Sequence, residues 1–227
     1  MMRRLIPFTV FALLGLALLL ALGSWQVQRL HWKEGMLARI EARIGAGPVP
    51  LPDAPDEGRD EYQAVTVTGA LGGVEIPVLV AHPDHGPGFR IIARLTSGDR
   101  NLLVDLGYVA GEAHDRFRMA GEVAITGNLL WPDETDSWTP PPDTTTGMWF
   151  ARDAVAMGAA LSAEPFLIVA REITPPLGTL PMPVGIEGIP NDHLGYAITW
   201  FALAAVWALM SAVLFRRMRR GASNGKV

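Results

Sequence analysis

Residues 191–215 read Asn-Asp-His-Leu-Gly-Tyr-Ala-Ile-Thr-Trp-Phe-Ala-Leu-Ala-Ala-Val-Trp-Ala-Leu-Met-Ser-Ala-Val-Leu-Phe, and four arginines follow within five positions. The 22 residues from Leu194 to Phe215 carry no formal charge. A helix of about 20 apolar residues is long enough to cross the hydrocarbon layer of a bilayer. This stretch therefore predicts a transmembrane helix over 191–215, followed by a basic cytoplasmic tail at 216–227.

The polar edge of this predicted span carries a histidine. Trp200 follows His193 by seven residues, which places the two side chains within about 20° of each other round a helix. A titratable side chain at the edge of a span is costly to bury without a partner, so its presence favours a function. Two interpretations stay open: the imidazole only hydrogen-bonds water or a neighbour, or it is an axial ligand of a haem whose ring packs on Trp200 and Phe201.

A second apolar segment lies near the other terminus. Residues 1–4 form a basic tip, and Leu5 to Leu22 are then apolar apart from Thr9. A cleavable signal peptide is the alternative, but 18 apolar residues are long for a signal, whose apolar part usually has about 7 to 15. We therefore predict an uncleaved transmembrane helix over 5–23.

Two segments of different composition follow this first span. Residues 24–44 alternate apolar side chains and cations at roughly helical spacing, which predicts an interfacial amphipathic helix that continues the span. Trp25 and Trp32 suit the headgroup layer, because an indole can bury its ring and keep its N–H in water. Residues 45–58 contain four prolines, three glycines and three acids, a composition that predicts a linker.

The pattern of residues 59–190 is mainly β. Residues 62–71 alternate with period two, and 101–110 do so with the even positions from Leu102 to Tyr108 on one side. We predict an α+β domain built on an antiparallel sheet or partly closed barrel of five to eight strands. The other predicted elements are strands at 76–81, 89–96, 122–131 and 166–173 and one short helix at 153–161.

Charge predicts how the chain crosses the membrane. All 23 acidic residues lie between Glu34 and Asp192, whereas seven of the 19 basic residues lie in the two tips. The positive-inside rule then predicts that both termini are cytoplasmic and that the acidic domain is periplasmic. So acidic a domain is a poor partner for phosphate backbones, which argues against nucleic acid. Without an Arg/Ser-rich transit segment, we expect a two-span protein of the bacterial cell inner membrane.

Other candidate sites have weaker support. His82 and His85 flank Asp84 in a turn rich in proline and glycine, but two imidazoles fall short of the three or four ligands usual for a metal. We interpret this turn and His114 as solvated, and His31 as an interfacial side chain. There is no cysteine, no Gly-x-Ser-x-Gly elbow and no glycine-rich phosphate loop, so we do not expect an enzyme.

The two membrane-edge stretches resemble the Surfeit-locus family of cytochrome c oxidase assembly proteins. Residues 23–29, Gly-Ser-Trp-Gln-Val-Gln-Arg, are similar to its N-terminal signature, and 191–201 are similar to its C-terminal signature, Asn-Asn-His-Leu-Ser-Tyr-Ala-x-Thr-Trp-Phe. This chain has Asp192 and Gly195 where the second signature has asparagine and serine. Residues 102–109 resemble a third, less specific strand motif of the family, which usually ends in Arg-Gly-Trp. This chain has Leu106 in place of the arginine and Tyr108 in place of the tryptophan.

The resemblance implies a function in the maturation of subunit I of a haem-copper oxidase. The protein would receive or present haem a as a transient cargo, with His193 as the iron ligand and Trp200 as a contact to the ring. Haem a synthase is a second candidate partner, besides subunit I and the lipid bilayer. The other candidate cofactor contacts are Tyr196, Trp25 and Arg29, with Lys33 beside Arg29.

Haem a suits such a boundary site, because its isoprenoid tail prefers hydrocarbon and its two propionates prefer water. Arg29 and Lys33 are the candidate propionate partners, since charge-assisted hydrogen bonds to carboxylates are strong. The main alternative is a membrane scaffold that binds subunit I directly and never touches haem. An enzyme that modifies haem has the least support, because the sequence shows no acid-base constellation.

Overall fold

The computed structural model describes residues 2–111 and 121–223. His114 therefore lies outside the described residues. Contacts divide the chain into two compact units, a helical unit formed by Met1–Arg39 and Glu187–Val227 and a sheet domain formed by Ile40–Ile186. In chain order the elements are α1 (Met2–Ile44), β1 (Val49–Pro50), α2 (Glu57–Asp60), β2 (Ala64–His82), β3 (Gly86–Ser97), β4 (Arg100–Ala110), β5 (Gly121–Leu130), α3 (Ala154–Leu161), β6 (Leu167–Thr174) and α4 (His193–Ser223).

Two long apolar helices begin and end the described chain. The stretches Leu5–Ile44 of α1 and His193–Arg220 of α4 are both long and apolar enough to cross a membrane. Helix α1 is continuous through the predicted first span and the predicted amphipathic segment. Helix α4 runs past the predicted end of the second span into the arginines, which are good helix formers. The segment predicted as a linker contains β1 and the first half of α2, both of them short.

The strands of the sheet domain close into a ring. The first part of β2 pairs antiparallel with β5, and its second part pairs antiparallel with β3, with a register shift between Leu71 and Glu75. β3 pairs with β4, β4 pairs in parallel with β6, and β6 pairs with β5. β1 adds in parallel beside β2. The predicted mainly β domain is confirmed, as a closed and mixed sheet.

β4 lies at the centre of this domain and is buried on both faces. Leu102, Val104 and Leu106 pack with one apolar cluster, whereas Leu103 packs with a second cluster that includes the apolar side of α3. Helix α3 begins where the sequence predicted, because the Asp153 carboxylate caps it by accepting a hydrogen bond from the backbone N–H of Ala156 at 2.9 Å.

The prediction that Tyr108 shares a side with the earlier even positions of β4 is wrong. The register of β3 against β4 shifts between the pairs Arg90/Tyr108 and Ile92/Asp105, so β4 carries one extra residue there. Gly107 in this bulge has φ +95, and a Cβ at that position would lie 2.2 Å from the carbonyl oxygen of Leu180. The bulge moves Val109 into the apolar cluster in place of Tyr108.

Candidate functional site

The candidate site belongs to the helical unit, in which α1 and α4 pack as an antiparallel pair. Near one end, the indole N–H of Trp207 donates to the carbonyl oxygen of Ala12 at 2.8 Å, and a Cβ on Gly15 would lie 2.6 Å from the same indole. Further along, a Cβ on Gly23 would lie 2.8 Å from the ring of Phe201. Glycines thus let aromatic rings of α4 lie directly on the backbone of α1.

His193 is the first residue of α4 and contacts a buried amide on α1. Its Nδ1 lies 2.8 Å from Oε1 of Gln26. Gln26 is 8% exposed, whereas His193 is half-buried. In this orientation of the Gln26 amide its oxygen faces Nδ1, and because an amide oxygen only accepts hydrogen bonds, the orientation corresponds to a proton on Nδ1 of His193.

The face of α4 that carries His193 also carries Trp200. Ala197 and Ala204, each 2% exposed, follow His193 at positions within about 40° of it round the helix. Trp200 lies between these alanines in sequence and is half-buried. His193 and Trp200 therefore share a face of α4, as predicted. Contact of either side chain with haem stays a prediction.

The other predicted cofactor contacts are divided between α1 and α4. Tyr196 is 58% exposed on α4, and Trp25 is 54% exposed and about 100° round α1 from Gln26. The guanidinium of Arg29 lies 4.0 Å from the ring centroid of Trp32, a cation–π contact. Lys33 is half-buried two turns after Gln26. These contacts neither support nor contradict binding of a cofactor by these side chains, so their proposed roles stay predictions.

Sequence reasoning missed Gln26 as a site residue. It lies in the N-terminal signature, but we assigned importance there to its aromatic and cationic neighbours. A usable signal was present, because an amide directly after a long apolar stretch has to find a hydrogen-bond partner if the helix is packed there. The partner could not be read from the sequence, since Gln26 and His193 are 167 residues apart.

The histidines of the sheet domain pack on one another and on the displaced tyrosine. The rings of His82 and His85 are 4.8 Å apart, and that of Tyr108 lies 5.2 Å from His82. The hydroxyl of Tyr108 donates to the carbonyl oxygen of His85 at 3.0 Å. His85 is exposed and His82 is half-buried, which agrees with the interpretation of this turn as solvated. Within residues 2–111 and 121–223, no three metal-ligating side chains come together.

A buried charge cluster stabilises the sheet domain. The carboxylate of Asp105 is fully buried and accepts hydrogen bonds from Arg90 and, at 3.3 Å, from Arg152. Arg90 also donates to the carbonyl oxygen of Met182 at 2.6 Å. Burial lowers the pKa of the Arg90 guanidinium, although the charge of Asp105 opposes this effect. Because each of these charges has an ionic partner, we interpret the cluster as structural.

Together, the fold and the site define a membrane-associated protein with a β-rich domain between two apolar helices. The profile of the SURF1 family matches residues 13–205. The chain belongs to this family, the Surfeit-locus family of cytochrome c oxidase assembly proteins. It is 30% identical over 245 residues to Surfeit locus protein 1 of Homo sapiens, covering 96% of this chain and 76% of that protein. It is 31% identical over 219 residues to a SURF1-like protein of Monosiga brevicollis, covering 86% and 83%.

Proposed function

We propose that this protein carries haem a at the membrane edge during oxidase assembly and presents it to subunit I, with His193 as the axial ligand of the iron. The observation that carries this proposal is a half-buried histidine at the first residue of a helix of membrane length. An ionisable side chain at the edge of a span is by default a candidate functional group. Haem a synthase is the proposed donor of the cargo.

The side chains at this edge suit such a cargo. Imidazole is the usual protein ligand of haem iron, and the half-buried indole of Trp200 offers a flat apolar surface on the same face of α4. On α1, Arg29 and Lys33 follow the apolar stretch, at the level where propionates would meet water. Both cations are proposed propionate partners, because such hydrogen bonds are charge-assisted.

Release is part of the proposed function, because an assembly factor has to give up its cargo. A single imidazole leaves the other axial position of the iron without a strong protein ligand. Such a site holds haem less firmly than one with two strong axial ligands. A carrier with this weaker hold is suited to pass haem to a site in subunit I that binds it more tightly.

The proposed topology places both termini in the cytoplasm of a bacterial cell and the sheet domain in the periplasm. The antiparallel packing of α1 and α4 supports it, because antiparallel spans bring the two basic tips to the same side of the membrane. The arginines at both tips favour the cytoplasmic side.

The proposal is tested by purifying the full chain from membranes of cells that make haem a. We expect a Soret band with wild type, loss of at least about nine-tenths of it in His193→Ala, and retention in His31→Ala, which removes an exposed imidazole of α1 instead. A wild-type protein that is colourless at good yield would favour the scaffold that binds subunit I without haem. A Soret band that survives in His193→Ala would show that another group binds the iron.

A further inference from the structure

We infer that Gln26 is a positioning residue that selects the tautomer of His193 and thereby directs its Nε2 lone pair to a ligand. The purpose of this arrangement rests on the proposed haem function, but the tautomer itself does not depend on haem. The inference starts from one contact, the 2.8 Å hydrogen bond between Nδ1 of His193 and Oε1 of Gln26.

The direction of this hydrogen bond decides where the proton lies. A neutral imidazole has one N–H donor and one acceptor nitrogen, and an amide oxygen cannot donate. With the amide oxygen of Gln26 facing the ring, the inferred tautomer has its proton on Nδ1 of His193, and in the neutral ring Nε2 keeps its lone pair. Free histidine in water favours the opposite tautomer, with the proton on Nε2. Gln26 thus holds His193 in the form that is ready to bind a metal through Nε2.

The surroundings of Gln26 keep this hydrogen bond in place. The residue is 8% exposed, and a buried amide that lost its partner would remain unsatisfied. One turn earlier on α1, the close approach of Gly23 to the ring of Phe201 sets the separation of the helices. Because Gln26 belongs to α1 and His193 to α4, the correct tautomer is imposed only while the two helices are packed.

A neutral acceptor also suits a cargo that has to leave. Histidines that bind metals usually donate their other N–H to a carboxylate, a backbone carbonyl or water, and a carboxylate makes the ring a stronger donor to the metal. The amide of Gln26 orients the ring without adding a negative charge. The choice of glutamine over glutamate therefore favours a correctly aimed ligand of moderate strength.

The first test reads the tautomer in the full-length protein without haem. The protein is labelled with ¹⁵N-histidine, and the ring signals of His193 are assigned by their loss in His193→Ala. We expect the proton on Nδ1 in wild type and in Gln28→Leu, which changes an exposed amide of the same helix. We expect Gln26→Leu to shift the signals toward the Nε2-protonated form. A wild-type spectrum with the proton on Nε2, or one that Gln26→Leu leaves unchanged, would overturn the inference.

The second test adds haem to the same variants in detergent. We expect Gln26→Leu to bind haem about 10 to 100 times more weakly than wild type, the usual effect of removing such a partner. Gln26→Glu should restore binding and lower the reduction potential of the bound haem below that of wild type, whereas Gln28→Leu should match wild type. Equal affinities and potentials in all four proteins would contradict the positioning function. If no variant, wild type included, binds haem while the tautomer behaves as expected, the proposed haem function fails and the tautomer selection stands.

Discussion

The two units of this protein handle buried polar groups in opposite ways. In the sheet domain, the buried carboxylate of Asp105 is surrounded by the guanidinium groups of Arg90 and Arg152, and ionic hydrogen bonds compensate each charge. In the helical unit, Gln26 and His193 form one neutral hydrogen bond, which engages only one of the two ring nitrogens. The Asp105 cluster is therefore structural, whereas His193 has a second ring nitrogen that can bind a ligand.

The physical reason lies in what each arrangement would lose. Removing one partner of a buried ion pair leaves an uncompensated charge, so the Asp105 cluster cannot change its partners without destabilising the domain. A neutral imidazole that keeps one free lone pair can gain a metal bond while its existing hydrogen bond stays intact. Changes to the two units should therefore affect different measurements.

The largest expected effect is that of Asp105→Asn in the sheet domain. The substitution keeps the size of the side chain but leaves Arg90 without its ionic partner, and we expect a loss of about 3–5 kcal/mol in the free energy of unfolding. Denaturant unfolding of the full chain in detergent, followed by circular dichroism, measures it. Asp99→Asn, which changes an exposed turn residue, is the matched control and should stay within about 0.5 kcal/mol of wild type. A loss below about 1 kcal/mol in Asp105→Asn would contradict the assignment of the cluster as structural.

A smaller effect is expected from Gly15→Ala in the helical unit. The new Cβ would lie 2.6 Å from the indole of Trp207, so the ring has to move and its hydrogen bond is weakened. We expect the free energy of unfolding to fall by about 1–3 kcal/mol. We also expect a longer distance between spin labels attached at Leu14→Cys and Leu209→Cys. The labels react only at these positions because the chain has no cysteine. Gly195→Ala, where a Cβ meets nothing within 4 Å, is the control. Equal distances in both variants would show that α1 and α4 do not pack through Gly15.

The smallest expected effect is the pH dependence of the stability that the ion pair between Arg152 and Glu134 contributes. Burial raises the pKa of Glu134, but the hydrogen bonds and charge of Arg152 lower it more, so the pKa lies below its usual value. A lowered pKa in the folded state stabilises the protein above the unfolded pKa of about 4.3, and this contribution is lost as the pH falls through the folded pKa.

Glu134→Gln should therefore be less stable than wild type at neutral pH, by at most about 1 kcal/mol because the carboxylate is 45% exposed. The difference should shrink as the pH falls below about 4. Thermal unfolding over a pH series measures it, with Glu122→Gln at an exposed strand position as control. A difference in stability between Glu134→Gln and wild type that stays constant down to acid pH would mean that the charge of Glu134 does not stabilise the fold.

Local features of this fold could be predicted from sequence, because local patterns determine them. Period-two alternation predicted strands at 62–71 and 101–110, and the turn-forming residues between the remaining segments predicted the others, which together overlap β2 to β6. The short helix predicted at 153–161 corresponds to α3. The two long apolar stretches predicted α1 and α4.

Features that depend on distant residues could not be predicted in this way. Strand alternation gives no information on the parallel pairing of β4 with β6. The bulge at Gly107 depends on the close approach of Leu180, and it changes the side on which Tyr108 lies. At the candidate site, His193 and Trp200 were predicted from their spacing on one helix, whereas Gln26 needed the packing of two helices.

Chemical rescue of His193→Gly by imidazole tests most directly whether one imidazole at this position binds the iron. Wild type and variant, both full length in detergent, are mixed with haem and separated from free haem by gel filtration, with and without imidazole in the buffer. We predict that the variant loses the Soret band and that millimolar imidazole restores most of it. A variant that binds haem without imidazole, or one that stays colourless with imidazole while wild type binds normally, would contradict the account.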